Sequence, residues 1–143
     1  MTGFRTRWRR PGRWYNGFSP EQRGAVTPIQ NAAVRSGKLI KPMICSICGF
    51  SDPTDPKGRG YIFMHLEDYR TPLNILPACK RCHAALHARF DRPGPWLRIL
   101  AANSKPECWF GGLSMGPGSQ LASFDETYPD GQSNIMISTA IRD

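Results

Sequence analysis

Cys45-Ser46-Ile47-Cys48 and Cys79-Lys80-Arg81-Cys82 place two C-x-x-C motifs thirty residues apart in a chain of 143. Each motif offers two thiolates from one tight turn, and two such turns complete the tetrahedron that Zn²⁺ requires. The spacing predicts a structural Zn²⁺ held by Cys45, Cys48, Cys79 and Cys82. Two disulfides are the competing arrangement. They need an oxidising compartment, yet the N-terminus is basic from Arg5 with no apolar run behind it, and Cys108 makes the cysteine count odd. A redox C-x-x-C leaves the second pair without a role. The expectation is therefore a reducing, cytoplasmic setting, with Cys108 as an idle thiol. In a chain this small, such a clasp supplies on the order of 10 kcal/mol to folding.

Charge is concentrated at one end. The formal net charge is +8, and residues 1–41 hold nine Lys/Arg against the single acid Glu21. Arg5, Arg7, Arg9, Arg10 and Arg13 alternate irregularly with Trp8, Trp14 and Tyr15, which predicts an extended arm. Its guanidinium groups can meet phosphates, while its rings either stack on bases or pack back on the body. Lys38 and Lys41 add charge further along. The expected partner is nucleic acid, double-stranded DNA in the first instance. A membrane is not expected: the longest uncharged stretch, Cys108 to Phe124, is broken by Gly112, Gly116, Pro117 and Gly118.

One small α+β domain with appendages accounts for the rest. Residues 1–18 read as the arm, 19–41 as a helical segment, 42–102 as the core with a docking helix, and 103–143 as an irregular extension. Ser19-Pro20 and Thr27-Pro28 are N-cap and first-turn pairs, and Gly37 is a helix stop after Ser36. SDPTDPKGRG is a loop. Tyr61 to Leu66 and Leu73 to Leu76 read as strands, Lys80 to Phe90 as a helix. A further helix from about Pro95 would dock Trp96, Leu97, Ile99 and Leu100, and Asn134 to Ser138 could form an edge strand.

All three histidines fall in or just after the zinc loop. His83 and His87 are four apart on a predicted helix, hence on one face, and His65 ends a predicted strand that the zinc clasp pulls toward that helix. Together they suggest a second divalent ion, Mg²⁺, Mn²⁺, Ni²⁺ or Zn²⁺. The elements CSIC, HLEDY, the Asn74 of PLNIL, and CKRCHAALH resemble the HNH (ββα-metal) endonucleases in their four-cysteine zinc variety. The resemblance covers about 45 residues from Cys45 to His87. It implies a small ββα-metal core, metal-dependent hydrolysis of DNA phosphodiesters, His65, His83 and His87 as ligands of the catalytic metal, and Asn74 as the residue that orients the general base.

The base itself departs from the family pattern. Where the resembling subtype has a second histidine, this chain has Leu66, which cannot take a proton from water; losing a general base typically costs ~10²–10⁴ in rate. Glu67 or Asp68 could serve instead, the metal could activate its own water, His65 could itself be the base, or the scaffold could bind nucleic acid without cutting it. The acidic pair Glu67-Asp68 reads more simply as pinning the turn or capping Arg70, and Tyr69 as a phenol too basic without tuning. The zinc deaminase signature is nearly mimicked by His65-Leu66-Glu67 and Pro77-Ala78-Cys79, but the intruding Ala78 and the short gap exclude it. The expectation is a nuclease with His65, Asn74 and Glu67 as catalytic residues, set against a degenerate binding scaffold.

Overall fold

The computed structural model describes residues 14–51, 62–105 and 108–131; Arg5 to Arg13, the loop 52–61 and Asn134 to Ser138 lie outside the described residues. In chain order come α1 (Pro20–Gly24), α2 (Val26–Ser36), β1 (Ile62–His65), β2 (Leu76–Cys79), α3 (Lys80–Ala88), α4 (Pro93–Asn103), two 3₁₀ turns (Phe110–Gly112 and Pro117–Gln120) and α5 (Phe124–Thr127). β1 and β2 form a two-stranded antiparallel sheet, so the fold is α+β. Among the described residues no helix is long and apolar enough to cross a membrane.

Ser19 caps α1, and Gln22 returns the bond to complete a capping box. α2 begins before Thr27, contrary to the Thr27-Pro28 reading. Ala25 between the helices is itself in the right-handed helical region, so there is no extended residue from which a side chain could cap. Gly37 ends α2 with φ 85°, as expected of a left-handed stop.

The second strand is displaced from its expected place. Leu73 and Asn74 lie in a turn closed by the Asn74 amide to the Thr71 carbonyl, and the strand is Leu76–Cys79, pairing Ile62 with Cys79 and His65 with Leu76. Pro77 made that stretch look unlike a strand. Its carbonyl turns away from β1 and accepts from the Ser46 amide at 2.9 Å and the Ser46 hydroxyl at 2.5 Å. The amide that proline lacks therefore lies on the outer edge, where no ladder bond is lost. β2 runs directly into α3, with Cys79 as the N-cap residue.

Trp96, Leu86, Ala78 and Cys82 are fully enclosed at the centre of the core. α4 starts two residues earlier than expected and buries Trp96 and Ile99, while Leu97 faces outward at 50% exposure. The tail is less irregular than its Gly, Ser and Pro content implied: Trp109, Phe110, Leu113, Phe124 and Tyr128 all pack into the same core. The end of the arm does likewise. Tyr15 and Phe18 are buried around a tight turn at Asn16 and Gly17, both with positive φ. Gly17 is required twice over, because a Cβ there would meet the Ser123 Cα at 2.6 Å.

Candidate metal centres and adjoining cleft

The first knuckle folds tightly about one sulfur. The Cys45 Sγ accepts the amides of Ile47 and Cys48, both at 3.4 Å, and Gly49 at φ 81° lets the chain turn so that the Cys45 amide reaches the Phe50 carbonyl. The second knuckle is the start of α3. One ligand atom from each of Cys45, Cys48, Cys79 and Cys82 lies within 4.8 Å of the others, and all four thiols are free of disulfides. The Cys48 and Cys79 sulfurs are 3.8 Å apart. A tetrahedron with Zn–S bonds of about 2.3 Å has an edge of ~3.8 Å, so the cluster has the size a zinc ion needs. The hydrogen bond from Cys82 brings the Cys45 thiol down to about 4, the same bond pushes Cys82 up, and burial raises Cys79. The Trp109 indole N–H donates to the Ser46 hydroxyl at 3.0 Å and ties the tail to this knuckle.

The sheet register and the clasp at the head of α3 set the histidines side by side. His83 and His87 Nε2 are 3.1 Å apart, and one ring nitrogen each of His65, His83 and His87 lies within 4.8 Å of the other two. Zn–N bonds of 2.0–2.1 Å subtend ~3.3 Å across a tetrahedral edge. Burial, then the neighbouring His65 and Arg23, hold His83 down to about 3; the same influences, with His83 and Arg89 added, keep His87 well below the usual imidazole range. Both rings therefore keep a lone pair available to a cation.

His65 is fixed from behind. Its Nε2 meets Glu67 Oε2 at 2.6 Å, leaving Nδ1, which is buried without a hydrogen-bond partner, as the nitrogen left for an ion. Glu67 is 1% exposed and fully engaged: Tyr15 Oη donates to Oε2 at 2.5 Å and Asn16 Nδ2 to Oε1 at 2.9 Å. Burial works to raise its pKa, but the bond from His65, the nearby Arg89 and the bond from Tyr15 outweigh it, and the carboxyl stays below its ordinary value. Arg89, equally buried, donates to the Tyr15 hydroxyl at 3.0 Å and to the Ser114 carbonyl at 2.7 Å. The chain Arg89–Tyr15–Glu67–His65 thus supplies the buried carboxylate with a buried cation.

The other residues singled out from the sequence lie as follows. Glu67, read from the sequence as a catalytic residue, is buried with both carboxylate oxygens bonded to Tyr15, Asn16 and His65. Asn74 is in the turn before β2, half-buried, and is not part of the histidine cluster. Asp68 pins Arg70 through bonds at 2.9 and 3.0 Å, and Tyr69, its pKa raised by burial, accepts from Arg23 Nε at 3.1 Å. Leu66 is 2% exposed. Tyr15, Asn16, Arg23 and Arg89 were not singled out from the sequence for this site; the Asn16-Gly17 dipeptide is a turn signal that the extended-arm reading passed over.

The histidines open into a cleft of about 510 Å³ between the α1–α2 pair and β1–α3, also lined by Arg23, Thr27, Asn31, Phe63, Leu66 and Tyr69. The Arg23 guanidinium lies 5.7 Å from the Tyr15 ring centre and 5.6 Å from that of Tyr69, which positions a cation beside the three imidazoles. The arrangement can hold an ion on nitrogen ligands and offer positive charge to an anion next to it. Lys38 and Lys41 are exposed beyond α2. No protein-family model matches the chain, and no curated protein or solved structure matches it either.

Proposed function

We propose that this chain is an HNH-type, metal-dependent endonuclease that hydrolyses phosphodiester bonds in DNA, with β1, β2 and α3 as its ββα-metal core. The observation that carries this reading is the convergence of His65, His83 and His87 on one point, with Glu67 locking the His65 ring and an open cleft in front. A divalent cation held there would polarise the scissile phosphate and make water acidic enough to attack at neutral pH. The chain's own residues do the rest. His65 presents Nδ1 because Glu67 holds Nε2, and Arg23 neutralises charge that builds on the phosphate oxygens. Cys45, Cys48, Cys79 and Cys82 would hold a structural zinc, which would tie the start of α3, and so its His83 and His87, against the sheet. The arm arginines, Lys38 and Lys41 bind the duplex.

A second reading, a catalytically degenerate scaffold that binds nucleic acid or a partner, is favoured by one observation: Leu66 occupies the position of the general base and is buried. Nicking of supercoiled plasmid with Mg²⁺, Mn²⁺ or Ni²⁺ separates the two. The nuclease predicts metal-dependent nicking by the wild type; an inert wild type, with activity appearing only in Leu66→His, is the signature of the degenerate scaffold. In Glu67→Gln the affinity for the exchangeable ion should fall about ten- to hundredfold while the cysteine-bound zinc stays. Isothermal titration with Zn²⁺ or Ni²⁺ checks this, and unchanged affinity would remove Glu67 from the site.

A further inference from the structure

The face of α3 turned from the histidines borders a second concavity. Arg81, Ala84, Ala85 and Ala88 of α3 and Pro95, Arg98, Ile99 and Ala102 of α4, with Arg92 between the helices, enclose about 550 Å³. Alanine supplies most of the floor and no long apolar side chain fills the space. Arg81, Arg92 and Arg98 are all exposed at its rim, and among the described residues none has an ion pair. On a helix, an acid three or four residues away would pair such an arginine. Here neither helix contains an Asp or Glu, and residues 80–104 hold five Lys/Arg against Asp91 alone. Of those five, Arg89 is buried and bonded to the Tyr15 hydroxyl, so the others are left to face solvent.

We infer that the groove between α3 and α4 binds the phosphodiester backbone of nucleic acid, with Arg81, Arg92 and Arg98 as its phosphate contacts. Three forked cations around a shallow, uncharged floor suit a regularly spaced polyanion: the planar guanidinium pairs with phosphate oxygens two at a time, and alanines let a backbone approach closely. The groove shares with the proposed nuclease only the premise that nucleic acid is the partner, since it needs neither the histidines nor a cation on them. α3 then carries phosphate contacts on one face and the reacting centre on the other.

Fluorescence anisotropy of a labelled DNA duplex, with zinc-loaded protein and no added divalent ion, tests this. The triple variant Arg81→Gln, Arg92→Gln, Arg98→Gln is compared with wild type over a range of salt. The groove predicts that the triple variant binds about tenfold or more weakly and that its log K against log salt slope is shallower by about 2 to 3, with zinc content and melting temperature retained. Wild-type affinity and slope in the triple variant overturn the assignment, as does displacement of the duplex by polyglutamate as readily as by unlabelled DNA. A groove that binds while the wild type never nicks plasmid refutes the nuclease and leaves the groove standing.

Discussion

Cys79→Ser unfolds the protein. Cys79 is at once the last residue of β2, the cap of α3 and a member of the four-sulfur cluster, so its loss opens the clasp at the point where strand becomes helix. A structural zinc site contributes on the order of 10 kcal/mol, which is comparable to the whole stability of a small domain, ~5–15 kcal/mol. The rest of the core cannot compensate, because among the described residues the sheet has two strands, each of four residues. Far-ultraviolet circular dichroism with zinc analysis by mass spectrometry reads the result. The expected outcome is loss of both helical signal and bound zinc. A Cys79→Ser protein that keeps its spectrum and melting temperature would mean that the cysteines are ordinary core residues.

His83→Ala abolishes metal-dependent nicking and leaves the fold intact. His83 is only partly buried, stacks on Phe63 at a ring separation of 4.6 Å, and among the described residues takes part in no hydrogen bond beyond that with His87. Alanine is a good helix former, so the fold loses little. The site loses one of three nitrogens. If the cation supplies several kcal/mol of charge stabilisation, the rate should fall by ~10³ or more, while duplex binding in the absence of divalent metal is unchanged. Plasmid nicking and melting temperature, measured on the same preparation, separate a lost site from a lost fold.

How much of this was legible in the sequence depended on whether the signal was local. The cysteine spacing announced a four-sulfur cluster, and the i, i+4 pair His83/His87 announced a shared helix face, because helix geometry alone brings such residues together. Ser19 and Gly37 were readable as caps for the same reason. What failed depended on contacts distant in sequence. Pro77 disguised a strand whose outer edge is covered by the Cys45 knuckle, and Glu67 looked available for chemistry until Tyr15 and Asn16 arrived from fifty residues away. Arg89 gave no sign that it would be buried. The tail hid Trp109 and Phe110 among glycines and serines, although these rings close the core beside Trp96.

The histidine centre stands or falls on its content of metal. Wild-type protein loaded with zinc and analysed by mass spectrometry should carry one ion for each of the two clusters, with one removed by brief exposure to a mild chelator; His83→Ala should carry only the ion that resists the chelator. One ion per chain in both proteins, equally resistant, would show that the three imidazoles hold nothing.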